Sequence, residues 1–192
     1  MKRVVEYSRA ATLLLLLATA LGCASGATIP CNPRDAAHRA DDAWWLSECF
    51  DVQAETIEGL KAADIDPSWS AAMVLTESRL PAIAHKQGLC DPSLRFRFDG
   101  DFNKDTRPDR AVVGVYRDRS NKVGQFLLIL TRSAAGKWTP AFVSKLPGRS
   151  GFSTLSYKDK ELNWWMCCAC DDGARVVPKG TGYALKPFEF GD

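Results

Sequence analysis

One short segment of this chain carries the residue types that bind a hard metal ion. Asp101, Asn103, Asp105 and Asp109 place side-chain oxygen atoms at positions 1, 3, 5 and 9 of a nine-residue stretch. Calcium takes roughly six to eight oxygen ligands at about 2.3–2.6 Å, and alternate residues of a tight loop can supply them. Position 7 of such a loop contributes its backbone carbonyl, so Arg107 can serve there without an acidic side chain. The spacing predicts a calcium site.

The residues around these oxygens match a known motif. Residues 100–109 read Gly-Asp-Phe-Asn-Lys-Asp-Thr-Arg-Pro-Asp, and a small apolar segment follows. This run resembles the calcium loop of FG-GAP and VCBS repeats, which occur in integrin-type β-propellers. The resemblance implies four side-chain ligands and one carbonyl ligand: Asp101, Asn103, Asp105 and Asp109, with Arg107. Because the motif occurs once, it supports a calcium loop that leads into a β-strand, not a complete propeller.

Two loop positions depart from that consensus, which has glycine where this chain has Lys104 and Thr106. Position 6 makes a sharp turn that often needs a positive φ, which costs roughly 1 kcal/mol or more for a β-branched residue. Lys104 also adds a positive charge near the expected cation. The alternative is therefore a polar turn that binds no metal.

The N-terminal residues predict an exported protein. A basic segment, residues 2–9, precedes an apolar stretch at 10–21. That stretch is shorter than the roughly 20 residues that span a bilayer and is typical of a signal peptide. Residues 19–23 resemble a bacterial lipobox, which implies a signal peptide at 1–22, lipidation of Cys23 and a linker at 23–31. The alternative, cleavage after a nearby alanine, gives a soluble secreted or periplasmic protein.

The predicted cellular location and the charge balance limit the partners that we expect. The predicted location is the periplasmic side of a bacterial cell envelope, with membrane contact only through the lipid anchor. Residues 1–22 hold three of the 25 basic residues and one of the 23 acids, which leaves 22 of each. A mature chain without net charge lacks the basic surplus of a nucleic-acid binder, so we expect no nucleic-acid partner.

Export also governs the interpretation of the seven cysteines. If Cys23 is lipidated, an even number remains, and an oxidising compartment then favours disulfide bonds. The candidates are Cys31, Cys49, Cys90, Cys167, Cys168 and Cys170. The sequence leaves their connectivity open. Two other interpretations of the C-terminal group are a zinc site completed by Cys90 or His85, and a redox pair formed by Cys167 and Cys170.

The first half of the mature chain, residues 32–89, predicts a helical segment. Apolar residues between Trp45 and Leu60 roughly follow helical spacing. Asp66 and Pro67 together are a helix-start signal, and Pro81 should end that helix.

Residues 90–192 predict an antiparallel β-meander that includes the calcium loop at 101–109. Short segments of strand-forming residues alternate with turns rich in Gly, Pro, Asn, Asp and Ser. The expected strands are 94–98, 110–117, 124–132, 138–145, 152–157, 161–169, 174–177 and 183–188. Residues 125–130 are apolar on both faces, which predicts a covered central strand. The predicted fold class is α+β, mainly β, with one small sheet or a propeller-blade-like unit, stabilised by disulfides.

Two classes of function compete. The first is a non-enzymatic, calcium-stabilised envelope protein that binds a macromolecule. In layout it resembles lipoprotein inhibitors of peptidoglycan hydrolases, including immunity proteins, and residues 147–152 are a candidate inhibitory loop. The half-exposed rings of the tandem pairs at 44–45 and 164–165 are a possible platform for a protein or glycan.

The second class is an enzyme, either a periplasmic redox protein using Cys167 and Cys170 or a cell-wall hydrolase using Glu77. The segment around Glu77 loosely resembles the catalytic-glutamate helix of lytic transglycosylases. We expect no enzymatic activity, because no catalytic constellation with family spacing accompanies these residues.

Overall fold

The structure is a computed structural model that describes residues 43–89, 91–168 and 172–188. The predicted signal peptide and linker, together with Cys23, Cys31, Cys90 and Cys170, lie outside these ranges. Within them, short helices are α1 (Trp44–Ser47), α2 (Ala62–Ile65) and α3 (Ala82–Gln87), and Glu77–Arg79 forms a 3₁₀ turn. The strands are β1 (Trp69–Val74), β2 (Arg97–Gly100), β3 (Asp109–Asp118), β4 (Val123–Arg132), β5 (Trp138–Pro147), β6 (Thr154–Lys158), β7 (Glu161–Trp165), β8 (Gly173–Lys179) and β9 (Gly182–Pro187).

The strands form two antiparallel sheets. In the first sheet, β3, β4 and β5 are neighbours in that order, and β1 and β2 both pair with the free edge of β3. β1 pairs with the second half of β3, up to Val74 opposite Gly114, and β2 pairs with the first half, beginning at Arg97 opposite Val112. The second sheet is a four-stranded meander in the order β6, β7, β8, β9.

The chain joins the two sheets just before β2. Arg95 exchanges two backbone hydrogen bonds with Leu155 of the second sheet, at 2.9 and 2.7 Å. Two residues later, Arg97 starts the pairing of β2 with β3. One extended segment therefore ties the sheets together, and its apolar residues Leu94 and Phe96 are buried.

The main core lies between the two sheets. Ala111, Val113, Leu127 and Ile129 come from the first sheet, and the second sheet contributes residues that include Leu155, Leu162, Trp164 and Val176. A smaller core covers the opposite face of the first sheet, where Phe126, Leu128 and Leu130 pack beneath Ile57, Ala62 and Ile65. The predicted central strand at 125–130 is therefore confirmed, because the second sheet covers one face of β4 and residues 57–65 cover the other.

The prediction of a helical segment at 32–89 is wrong for Trp69–Val74, which forms β1, and the helices on either side of it are short. Ala71 and Met73 face the main core while Ala72 faces the smaller one, which is the period of two that a strand requires. A strand that is buried on both faces has no polar alternation, so its pattern does not distinguish it from a buried helix. Pairing with β3 and burial outweigh the helix propensities of Ala and Met.

The predicted antiparallel β region is confirmed, and each strand from β3 to β9 overlaps a segment that the sequence indicated. The prediction of a single small sheet is wrong, however, because β6–β9 form a separate sheet that packs on the first. Cys49, Cys167 and Cys168 are disulfide-bonded, and the pairs they form remain a prediction.

Candidate metal loop at the junction of the two sheets

Residues 101–108 form the connection of the hairpin between β2 and β3, which closes with Gly100 opposite Asp109. Phe102, which also belongs to the motif, is 8% exposed and packs edge-on against Tyr157 of the second sheet, with ring centroids 5.3 Å apart. A Cβ on Gly100 would lie 2.7 Å from the Phe102 ring, so a side chain at position 100 would push the ring out of this pocket. The Gly-Asp-Phe run thereby anchors the loop to both sheets.

The side-chain oxygens at the loop tip turn inward onto backbone amides. Asp101 accepts hydrogen bonds from the amides of Asp105 and Thr106, at 3.0 and 2.9 Å. Asn103 Oδ1 accepts from the Asp105 amide at 3.0 Å, and Asp105 Oδ1 accepts from the Arg107 amide at 2.9 Å. These bonds gather the three side chains into one concave turn. Asp105 Oδ2 also accepts from Asn103 Nδ2 and from the Arg107 guanidinium, so it is already in use.

The backbone of this turn has the conformation that the consensus glycines would supply. Lys104 has φ +63° and Thr106 has φ +69°, so both consensus-glycine positions are left-handed. That conformation costs about 1–2 kcal/mol for a residue with a Cβ. The turn is therefore left-handed at both positions although neither residue favours that conformation.

Asp109, the last residue of the motif, is fully buried and joins three parts of the fold. Its Oδ2 accepts hydrogen bonds from the Phe102 amide at 3.0 Å and from the Tyr183 hydroxyl of β9 at 2.6 Å. Its Oδ1 accepts from the Thr131 hydroxyl of β4 at 2.6 Å. Burial and the bond to Asp109 both raise the pKa of Tyr183 well above its ordinary range, so the phenol is a neutral donor.

The donors that surround Asp109 are all neutral. Among the described residues, none of the ion pairs involves this carboxylate. A buried charge that is hydrogen-bonded but has no counter-charge is costly, and a cation in the adjacent loop would reduce that cost. The oxygen-only donor set and this uncompensated charge fit a hard cation such as Ca²⁺.

Arg107 competes for one of the expected ligands. Its guanidinium lies 2.9 Å from Asp105 Oδ2, and the Arg107 backbone amide, followed by its side chain, lowers the pKa of Asp105. Within the described ranges, no group of three or more His, Cys, Asp or Glu residues is placed to hold a metal. A cation at the loop tip would therefore rely on the Asn103 amide and the Arg107 carbonyl in addition to the carboxylates.

The sequence did not indicate Thr131 and Tyr183, the two side chains that complete this junction. They lie 22 and 74 residues from Asp109 along the chain. A weak signal is present, because both occupy inward-facing positions in otherwise apolar strands, where a hydroxyl needs a buried acceptor.

A cleft lies beside Glu77, the candidate catalytic residue of the hydrolase alternative. It has a volume of about 570 Å³ and lies where β1 and β2 meet on the edge of β3. Glu77 is exposed on its rim, on a 3₁₀ turn that follows a strand, and the long helix of the transglycosylase resemblance is not found in the described part of the chain. The other two cleft glutamates, Glu55 and Glu58, are held in ion pairs with arginines.

The candidate inhibitory loop at 147–152 is not a protruding tip. Ser150 is 3% exposed and its carbonyl accepts the Phe50 amide at 2.8 Å, while Phe152 is fully buried. The Arg149 guanidinium donates to the carbonyls of Leu46 and Glu48, at 2.5 and 2.9 Å, at the end of α1. The expectation of an exposed serine-bearing plug here is wrong, because this loop holds the segment 43–50 against the sheets.

The redox interpretation also meets an obstacle at Cys167. This residue is 3% exposed and follows β7, whereas a reactive thiolate needs access and a stabilising environment such as a helix N-terminus. Each tandem tryptophan pair places one ring in the core, Trp44 and Trp164, and leaves the other ring half-buried, as expected.

Comparison with known proteins adds no family. No protein-family model matches the chain, and neither do curated proteins or solved structures. No helix in the described ranges is long and apolar enough to cross a membrane.

Proposed function

We propose that this chain is an exported, lipid-anchored envelope protein without enzymatic activity, which calcium stabilises and which binds a macromolecular partner. The observation that carries the proposal is the loop at 101–109. It combines the left-handed turn of a calcium loop at Lys104 and Thr106 with a buried carboxylate, Asp109, that has no cationic partner in the described part of the chain.

Calcium in this loop would have a structural role. The ion would be held at the tip of the loop by Asp101, Asn103, Asp105 and the Arg107 carbonyl. The buried carboxylate of Asp109, at the base of the loop, would contribute its negative charge. Because Phe102 and Asp109 contact both sheets, a filled loop would stabilise the packing of one sheet on the other. Binding free energy at such a site becomes folding free energy.

Thermal unfolding of the oxidised mature chain, with millimolar calcium and with excess chelator, tests this proposal. We expect calcium to raise the melting temperature, since a ligand that binds only the folded state stabilises it by about 2.7 kcal/mol at a hundredfold excess over Kd. Asp105→Ala should abolish the calcium response. Asp51→Ala, which removes an exposed aspartate far from the loop, should retain it. Identical wild-type melts in calcium and chelator would show that the loop is a metal-free turn.

The partner that fits this proposal is a macromolecule of the cell envelope. The inhibitor version of the proposal loses its candidate plug, because Ser150 and Phe152 are buried. The enzyme alternatives have less support, since Glu77 lies exposed on a short 3₁₀ turn and Cys167 is buried. A binding role therefore depends on surfaces that the fold presents to solvent.

A further inference from the structure

The second sheet presents one face to solvent. This outer face consists of the even-numbered residues of β6, starting at Ser156, and the even-numbered residues of β9. It also includes the odd-numbered residues of β7 and β8, and Phe188, which follows β9. Every one of these residues is at least partly exposed, whereas their neighbours Leu162, Trp164 and Val176 are buried in the main core. The equivalent face of the first sheet is covered by residues 57–65.

An aromatic pair is held rigidly on this face. The rings of Trp165 and Phe188 lie 4.6 Å apart at an angle of 32°. Trp165 Nε1 donates to Ser156 Oγ at 2.9 Å, which fixes the indole. A Cβ on Gly173 would come within 2.7 Å of Phe188 and 3.2 Å of Trp165, so the glycine gives the rings room to lie close to the sheet. A ring that is already ordered loses little entropy when a ligand stacks on it.

Polar side chains adjoin the aromatic pair. Asn163 is the next outer-face residue of β7, and its register partners are Ser156 and Arg175. Asn163 as a whole is partly exposed, but its Oδ1 is buried and accepts no hydrogen bond from the described residues. Ser156, Asn163 and Arg175 give the aromatic pair a polar margin, which suits a ligand that carries hydroxyl groups.

The outer face is also basic. It carries four cations and one acid: Lys158, Arg175, Lys179, Lys186 and Glu161. The acid is already paired with Arg175, at 3.1 Å. Acids are concentrated elsewhere, for example six of them against one lysine in residues 48–66. A mature chain without net charge therefore has a positive outer face, which is complementary to an anionic partner.

We propose that this face binds an anionic glycan, a sugar chain that carries carboxylates; this inference rests on the proposed binding function. The apolar faces of sugar rings would stack on Trp165, sugar hydroxyls would bond to the polar margin beside it, and carboxylates would pair with the cations. A protein partner fits less well. A protein–protein interface of ordinary size needs a larger apolar centre than one aromatic pair.

Co-sedimentation of the mature oxidised chain with purified peptidoglycan sacculi and with chitin tests the inference. Both polymers are built from β-linked amino sugars, but only the sacculi carry carboxylates. We expect Trp165→Ala and Lys158→Glu each to weaken binding to sacculi about tenfold or more, and chitin to bind at least about tenfold more weakly than sacculi. Binding to sacculi should also fall as salt is raised.

Two variants away from the outer face serve as matched controls. Trp45→Ala removes the half-buried ring of the other tandem pair, and Lys137→Glu reverses an exposed lysine in a turn of the first sheet. Both should bind sacculi within about twofold of the wild type. A thermal melt of each variant verifies that it folds, and Lys158→Glu, at an exposed position, remains informative if Trp165→Ala unfolds.

Several outcomes would overturn the proposal that the outer face binds an anionic glycan. These are wild-type binding by both outer-face variants, equal binding to chitin, no binding to sacculi, or retention only by an immobilised acidic protein. If calcium stabilises the chain but the chain does not bind sacculi, only the glycan inference is wrong. Binding through Trp165 without any calcium response overturns the calcium part of the proposed function alone.

Discussion

At the scale of single residues, Asp109 connects the candidate metal loop to the fold. Its carboxylate receives bonds from the loop, from β4 and from β9, so three segments that are distant in sequence converge on two oxygen atoms. Hydrogen bonds to an ionised acceptor are worth more than neutral ones, about 1.5–3 kcal/mol each. Removing one donor leaves the buried charge less well solvated.

We predict that Tyr183→Phe lowers the free energy of unfolding by about 1.5–3 kcal/mol, because it removes one donor to this charge. Denaturant unfolding with the calcium concentration held constant measures the change. Tyr157→Phe is the matched control, since its ring is partly buried in the same core. It should cost less than about 0.5 kcal/mol. Equal effects of the two substitutions would contradict the role assigned to the Tyr183–Asp109 bond.

The same contact predicts a loss of stability in alkali. The pKa of Tyr183 is raised in the folded state by burial and by Asp109, so the folded protein holds this proton more tightly than the unfolded chain. The resulting stability is complete below the ordinary tyrosine pKa of about 10 and declines as the pH rises above it. Tyr183→Phe should show a shallower decline between about pH 10 and 11 than the wild type. Parallel curves would argue against this titration.

At the scale of elements, the close contact of β1 and β3 depends on Gly114. A Cβ at this position would lie 2.2 Å from the Met73 carbonyl oxygen and 2.4 Å from the Phe126 ring. Because the first obstacle is backbone and the second is a fully buried ring, neither can move freely. The glycine thus permits β1 to pair at the edge of β3 above Phe126.

We predict that Gly114→Ala destabilises the protein by about 2–4 kcal/mol, since overpacking a rigid site forces the strands apart. Gly182→Ala is the control, because its nearest neighbour to a new Cβ is 3.7 Å away and its φ is not left-handed. Denaturant unfolding of both variants measures the two changes in the free energy of unfolding. A stable Gly114→Ala protein would mean that β1 is not held as the structure shows.

A second contact between elements joins β2, β3 and β5 through Arg110. Its guanidinium makes two bonds to Asp99, at 2.7 and 2.9 Å, and lies 4.4 Å from the centre of the Trp138 ring. The Arg110 hydrogen bonds, more than those of Arg97, lower the pKa of Asp99 to about 2. Solvent screening limits the value of the pair, because the Asp99 side chain is 52% exposed.

The lowered pKa of Asp99 predicts a small acid sensitivity. Its stabilising contribution is present above the unfolded pKa of about 3.9 and is lost as the pH falls towards 2. We expect Asp99→Asn to reduce the stability at neutral pH by less than about 1 kcal/mol, and to lose less stability than the wild type between pH 4 and 2. Unfolding at several pH values measures this, with Asp51→Asn as the control. An unchanged acid slope in Asp99→Asn would contradict the assignment.

At the scale of the whole molecule, we predict that Cys23 attaches the chain to a membrane. Cys23→Ser should move the protein from the membrane fraction to the soluble periplasmic fraction, because the described chain contains no helix that could span a bilayer. Ser25→Ala is the control and should remain with membranes. If Cys23→Ser fractionates like the wild type, the soluble export alternative or another membrane contact replaces the lipid anchor.

Features that depend on neighbouring residues could be predicted from the sequence. The strands after residue 93 were evident because alternation and turn residues act over a few positions, and the extended run at 125–130 marked β4 as covered on both faces. The candidate metal loop was likewise evident from spacing, including the need for a left-handed residue at Thr106.

Features that depend on residues distant in sequence could not be predicted, because they arise from packing in the folded chain. Trp69–Val74 became a strand because the edge of β3 was available to it, which outweighs local propensity. Asp109 became a buried junction because Thr131 and Tyr183 arrive from two sheets. The division into two sheets, and with it the exposed basic face around Trp165, follows from packing that no local pattern specifies.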